Sequence, residues 1–463
     1  MVLPRASPLV ETFQPKSDEI FGNEFACGAV TSKGLAGFEE GALQSSVREA
    51  FAIMSSVALL RGAKAAAHAD AVVEVSSAAV ATSLGPISLH VTSDIESLEA
   101  RWKALQAIAP CTAAQTFSYA ETWARIVLAP QGNTPLVVVG TDAQGRDLFL
   151  WAFEIDSICG FKVMKWLGES HASYAMGLFR PQTAPGFGAK DLLRLLAVIA
   201  RRCGAPAAIL CAQPYEWDGL ANPFAKLPHQ EAPSSGYAVR LGDFTEIYHR
   251  RFSKTSRAKV RRKERRLLDA GPAEFGWAAT SPERLAVLDA LFAQKARQLA
   301  ELGVKNPFGP EVQAFYREMA LLPEDDPARL RLGYLKVNGV IAATHSGTLC
   351  RDRLSITFSS LAAGAMQRHS PGALLLRHQI AEACAQGLAY YDLGAGSGPN
   401  KDEWCDVVQP CFDNFVAFKP QGLVLTLPSA GIASLKRAIK SNRHVWPLVQ
   451  RWRQTLLGKA ESS

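Results

Sequence analysis

Residues 331–361, RLGYLKVNGVIAATHSGTLCRDRLSITFSSL, are three runs of alternating apolar and polar residues joined by two tight turns. The turns are Val337-Asn338-Gly339-Val340 and Cys350-Arg351-Asp352-Arg353. Asn-Gly suits such a turn because the favoured two-residue hairpin loop needs positive φ at both central residues. A period of two sends successive side chains to opposite faces, so the segment predicts an antiparallel meander with one face in the core. A helical stretch follows, SPGALLLRHQIAEACAQG, and then two strands, AYYDLG and FDNFVAFKP. Three helical stretches precede the meander, at 243–269, 282–303 and 310–322. The order is helices, meander, helix, strands, which is an α+β fold with a mixed sheet.

The same texture occurs earlier in the chain. ISLHVT at 87–92 reads as a strand, and Ile95, Leu98, Trp102, Leu105 and Ile108 recur at helical spacing. A second helix spans 119–128, and PLVVVGTDAQGRDLFLWAFEID and KVMKWLGE read as strands, the first broken at Asp142-Ala143-Gln144-Gly145. A helix at 191–202 leads to the buried run AAILCA, and the unit closes near Arg240. The expected partition is a flexible extension at 1–86, a first unit at 87–242, a second at 243–420 and a basic tail at 421–463 carrying Trp446 and Trp452. Within the extension, Phe51–Leu60 is apolar but falls short of the roughly 20 residues a membrane span needs. It also lies too far from Met1 for an ordinary secretory signal. Met54 is a second candidate start.

The formal charge of +7 is unevenly placed. Between Arg250 and Arg266 ten Lys/Arg face one acid, Glu264, and from Gln421 onward seven face one, Glu461. What remains of the two units is mildly acidic. Spacing of three and four puts Arg250, Lys254, Arg257, Arg261 and Arg265 along one helical face, where like charges repel. The plainest occupant for that face is the protein's own acidic surface; tRNA, anionic lipid and coenzyme phosphates are the others. Aromatic residues among the charges are confined to Phe252, so no base-stacking platform is evident. Nine cysteines with no CxxC pair or zinc-ligand spacing exclude a disulfide scaffold and point to reduced thiols, a cytoplasmic setting and no metal.

Two constellations could carry chemistry. In Arg368-His369-Ser370-Pro371-Gly372-Ala373, Ser370 is placed to cap a helix whose first residue is Pro371, and Gly372 leaves the backbone bare. Open N–H groups at a helix N-terminus, with Arg368 beside them, suit a phosphate; the ordinary alternative is a well-capped helix with no ligand. In the second, Tyr390 and Asp392 share one strand face and Tyr391 takes the other, ahead of Gly394-Ala-Gly-Ser-Gly-Pro-Asn-Lys401. A carboxylate and a phenol at a strand end could supply a general base and a general acid, roles open to Asp392 and a tyrosine. Lys401 could clamp a substrate or an oxyanion. His345, mid-strand, is a further candidate base, and packing or loop capping is the plain alternative for each.

The order of elements, with NGVIAA around Gly339 and Ala342, Ser370-Pro371-Gly372, AYYDLGAGS, Lys401 and Trp404, resembles the GNAT acyltransferases. More narrowly, it resembles the CelD/BcsL-like acetyltransferases of bacterial cellulose biosynthesis, relatives of the FemAB peptidyltransferases. The resemblance spans about 85–420 and is strongest over 330–420. It implies tandem GNAT-like units joined by a basic helical connector; because nothing in 87–240 resembles the Ser-Pro-Gly site, the first unit is expected to be non-catalytic, either structural or an aid to acceptor binding. The resemblance further implies acetyl-CoA held at Arg368, Ser370, Pro371, Gly372 and Ala373, with an amine, hydroxyl or saccharide acceptor near Lys401 and Trp404. The usual GNAT pyrophosphate loop, Arg/Gln-x-x-Gly-x-Gly/Ala, is altered here, because Pro371 stands three residues after Arg368. Two rival readings follow: aminoacyl-tRNA-dependent peptidyl transfer, and a non-catalytic module docking on a polysaccharide synthase. A peripheral place at the inner membrane face fits the basic tail.

Overall fold

The computed structural model describes residues 76–441; Phe51–Leu60, Met54, Trp446 and Trp452 lie outside them. Strands β1 (Ser76–Thr82) and β2 (Gly85–Thr92) form a hairpin, and helices α1 (Glu99–Ile108) and α2 (Phe117–Trp123) lead to β3 (Pro135–Thr141), β4 (Asp147–Ile158) and β5 (Phe161–Trp166). Helix α3 (Ala189–Cys203) returns the chain to β6 (Ala207–Pro214), and β7 (Gly236–Arg240) follows. The second series is α4 (Phe244–Arg251), α5 (Lys254–Asp269), β8 (Ala273–Trp277), α6 (Ser281–Glu301), α7 (Pro310–Leu321), β9 (Arg331–Val337), β10 (Val340–Cys350) and β11 (Arg353–Leu361). Then come α8 (Pro371–Ala385), β12 (Tyr390–Ala395), α9 (Pro399–Trp404), β13 (Val407–Gln409), β14 (Cys411–Ala417) and α10 (Pro420–Ser441).

These make two mixed sheets, as the doubled texture predicts. The first runs β1-β2-β3-β4-β5-β6-β14, with Gln230–Glu231 beyond β14 and Leu178–Phe179 beside β4. The second runs β8-β9-β10-β11-β12-β7-β13. Each has one parallel pair, β5 with β6 and β11 with β12, because a helix carries the chain back to the starting edge between those strands. The sheets also trade strands: β7, from the first half, lies between β12 and β13, while β14, from the second, lies against β6.

Local chemistry explains the details. Asn338 and Gly339 both take positive φ, as the two-residue hairpin requires. The helix expected over 243–269 is broken at Phe252-Ser253. Phe252 is extended and buried, and the Ser253 hydroxyl accepts the Ser256 N–H to start α5 afresh. β1 falls within the stretch expected to be a flexible extension, and α10 within the expected tail. One core joins the halves: Trp102, Tyr119 and Trp123 pack with Leu291, Phe315 and Tyr316 of α6 and α7.

Candidate active site

The parallel ladder between β11 and β12 is short, running only from Arg353–Ser355 to Tyr390–Asp392. β12 keeps β7 on its other edge through and past the ladder, and β11 keeps β10 on its own, with a bulge: Ser346 faces Phe358 and Gly347 faces Ile356, leaving Thr357 between them. A bulge bends its strand, and here the two strands part. The gap is a cleft of about 310 Å³. Ile356, Thr357, Phe358 and Ser359 form one wall, Leu393 and Ala395 the other, with His345, Leu376 and Lys295 behind and Gly398–Lys401 at the rim.

Asp392 holds the point of divergence. One carboxylate oxygen takes Arg353 Nη1 at 3.0 Å; the other takes the Tyr174 hydroxyl at 3.1 Å and the Gly394 N–H at 2.7 Å. The Arg353 guanidinium lies 4.3 Å from the ring centroids of both Trp217 and Tyr390. Burial pushes the Asp392 carboxyl up, against the pull of Arg353 and its hydrogen bonds. Asp392 is fully buried and does not line the cleft, so in this geometry it clamps rather than meets an acceptor. Tyr390 covers Arg353 on the outer side, bordering a groove with Asp218, Arg351 and Asp352.

His345 does reach the cleft. Its Nδ1 lies 2.7 Å from Gln379 Oε1, which also accepts the Tyr391 hydroxyl at 2.9 Å. An amide oxygen only accepts, so Nδ1 carries the proton and Nε2 keeps its lone pair. Burial lowers the imidazole pKa to about 4, so the ring is neutral at pH 7. Tyr391 is fully buried and serves this network rather than the cleft. Lys401 sits at the rim, its ammonium donating to Gly394 O at 2.9 Å and Ala395 O at 2.8 Å, and burial lowers its pKa. Trp404 is core, packed on Phe252 and Tyr248, which fixes α9 against α4.

The expected phosphate loop differs from its sequence reading in two respects. Ser370 takes the left-handed conformation, φ 54° and ψ 55°, and its hydroxyl does not cap α8 but accepts Lys263 Nζ at 2.8 Å. The space beside Gly372 is filled by Leu361, whose Cδ2 would lie 2.9 Å from a Cβ there, so this glycine admits a side chain of the protein. Pro371 is the first helical residue, as expected, and Ala373 donates its N–H to Ser370 O. Arg368 is exposed, with Nε 3.1 Å from His369 Nε2. Arg368 and Lys263 thus place two cations at this helix start.

The first unit has the same parallel pair in a closed form. β5 and β6 share only Val163–Ala207 and Met164–Ala208. Beyond that, the Glu169 carboxyl accepts the Cys211 N–H at 3.3 Å, and Ala175 donates to Ala212 O. Burial pushes Glu169 up to about 8, so it is largely protonated at pH 7. The start of α3 is held by the Asp191 carboxylate, which accepts from Gly188 N and Ser83 N. A carboxylate there repels anions, whereas two cations stand at the start of α8.

An acetyltransferase (GNAT) domain family matches residues 254–402, from the start of α5 to Asp402 in α9. Among solved structures, FemX is similar at 10% identity over 71% of this chain and 98% of its own, with a TM-score of 0.49. A tandem GNAT protein from the clavulanic acid biosynthesis pathway is similar at 12% identity, covering 72% and 99%, with a TM-score of 0.39. The C-terminal domain of a putative lysylphosphatidylglycerol synthetase from Agrobacterium fabrum is similar at 12% identity, covering 73% and 97%, with a TM-score of 0.44. No curated protein sequence matches the chain.

Proposed function

We propose, from the GNAT domain at 254–402, that this protein is an acyltransferase taking acetyl from acetyl-CoA and passing it to an amine or hydroxyl. The observation that carries this reading is the open wedge between β11 and β12 in the second sheet, set against the filled wedge in the first. A thioester lying in the wedge meets strand edges with no shared ladder, whose backbone N–H groups can polarise its carbonyl. His345 Nε2 accepts the acceptor's proton, and the resulting imidazolium returns it to the leaving thiolate. Gln379 fixes the tautomer. Arg368 and Lys263 supply positive charge for the donor's phosphates at the start of α8. A saccharide acceptor in exopolysaccharide or cell-envelope metabolism rests on the resemblance to the CelD/BcsL-like enzymes.

Calorimetry with acetyl-CoA tests the donor. The wild-type chain gives a saturable heat, and Arg368→Glu with Lys263→Glu weakens it about tenfold or more, the effect of about 1.4 kcal/mol. No saturable heat from the wild-type chain refutes acetyl-CoA as donor.

A second reading, aminoacyl-tRNA as donor, is favoured by helix α5. Lys254, Lys259, Arg261, Arg262, Lys263, Arg265 and Arg266 are all exposed. Of the two acids of that helix, Asp269 is its last residue and Glu264 turns inward to Arg377 and His378. Among the described residues the protein's own acidic surface, the plainest expected partner, does not cover this ridge. tRNA binding that falls steeply with salt would select this reading, and no binding at low salt would remove it.

A further inference from the structure

Helix α10 lies on the outer side of the first sheet. Leu425 packs inward on Val163, Ala207 and Ile209, and a Cβ on Gly422 would lie 2.2 Å from Pro206 O, so the helix start is pressed against the β6 connection. Its opposite side has no cover among the described residues. Leu423, Val424 and Leu427 are 48%, 67% and 67% exposed. At spacings of one, three and four they form one ridge. Residues 420–435, PQGLVLTLPSAGIASL, contain no charged side chain, which is unusual for a helix facing water.

Cations stand at both ends of this ridge. Lys419 precedes the helix, and Lys436, Arg437 and Lys440 follow the uncharged stretch. Arg437 pairs with Glu231 and Lys440 donates to Ser234, so the basic end is anchored to the body of the protein. No described helix is long and apolar enough to cross a membrane. Exposed aliphatics along a helix, flanked by lysines, match the boundary between acyl chains and anionic headgroups. A second copy docked on the ridge about a two-fold axis with antiparallel helices would set Lys419 of each copy toward Lys436 of the other, an unfavourable meeting of like charges.

We infer that the Leu423/Val424/Leu427 ridge of α10, with Lys419 and Lys436 flanking it, seats the protein on an anionic lipid bilayer. The helix lies in the interface plane, with the three aliphatics among the upper acyl chains and the lysines at the headgroups. The inference is independent of the donor that the cleft accepts.

Sedimentation of the full chain with vesicles tests it, using phosphatidylcholine alone and phosphatidylcholine mixed with phosphatidylglycerol. The wild-type chain binds the mixed vesicles and binds phosphatidylcholine at least tenfold more weakly. Leu423→Ser/Val424→Ser/Leu427→Ser lowers binding to mixed vesicles about tenfold or more, while melting temperature and acetyl-CoA heats stay as in wild type. Lys419→Glu/Lys436→Glu weakens binding in low salt, and added salt narrows its gap from wild type. The inference is overturned if the wild-type chain fails to bind mixed vesicles, or if the triple variant binds them as wild type does, which would assign lipid contact to the α5 ridge. It is also overturned if wild type does not bind vesicles and the triple variant turns a dimer into a monomer, which would assign the ridge to a second copy.

Discussion

Arg353, at the first rung of the β11–β12 ladder, reaches diagonally to Asp392, at the last, and meets it at 3.0 Å, both side chains buried, with Tyr174 of the first half donating to the same carboxylate. The pair fixes where the strands part, so its charges serve geometry. Asp392→Asn removes one charge of a buried pair and leaves Arg353 without its counter-ion. Such losses cost about 3–5 kcal/mol. The expected outcome is a large fall in melting temperature, with the acid limb of the activity profile unmoved in whatever folded fraction remains. An acid limb displaced by Asp392→Asn at unchanged stability would instead make Asp392 the base.

His345 leads to a kinetic prediction with a pH signature. Its pKa lies near 4, below the unfolded value of 6.5, so between those values the unfolded chain binds more protons. Stability from this group is complete above pH 6.5 and is lost as pH falls toward 4. A neutral imidazole also remains available as base across that window. His345→Gln should lower kcat about 100-fold with KM little changed. Gln379→Leu, which frees the ring and strands the Tyr391 hydroxyl, should lower both kcat and stability. An unchanged kcat in His345→Gln would remove this residue from the proton path.

Much of this site was legible in the sequence, and the limits are physical. The meander, both tight turns, the helix beginning at Pro371 and the strand at Tyr390 follow from period and turn chemistry, which are local. The role of Asp392 was not legible, because its partners Arg353 and Tyr174 lie 39 and 218 residues away. The membership of β7 and β14 in each other's sheets is likewise decided by long-range pairing that no local pattern encodes. Gln379 left a usable trace: it interrupts the apolar stripe of Leu375, Leu376, Ile380 and Ala383, and a polar residue on a buried helical face implies a buried partner. Ser370 misled because a serine before Pro-Gly ordinarily caps, yet here Lys263 takes its hydroxyl.

The closed wedge of the first unit predicts an alkaline weakness. Burial pushes Glu169 to about 8 and Asp413 to about 6, both above ordinary carboxylate values. The folded state therefore holds protons that the unfolded chain has released. Stability from these groups is complete below about pH 4 and is lost as pH rises, through 6 for Asp413 and 8 for Glu169. Melting temperature followed from pH 5 to 9 should fall. Glu169→Gln keeps an acceptor for the Cys211 N–H without the ionisation and should flatten the decline above pH 7. The same decline in the variant would place its origin elsewhere.

Gly394 tests the clamp from the backbone side. It takes φ 72°, and a Cβ there would lie 2.8 Å from Ser173 Oγ and 3.3 Å from Ile356 O. Ser173 belongs to the first half and Ile356 to the cleft wall, so a methyl group presses on both sides of the divergence at once. The left-handed conformation adds a further penalty of about 1 kcal/mol for an alanine. Gly394→Ala should therefore cost about 2–3 kcal/mol and shift the N–H that holds Asp392. Gly396→Ala is the control: it also has positive φ, at 92°, but nothing within 4 Å. If the clamp shapes the cleft, Gly394→Ala weakens acetyl-CoA binding more than Gly396→Ala does. Equal losses would show that backbone strain alone, and not contact across the divergence, sets the cost.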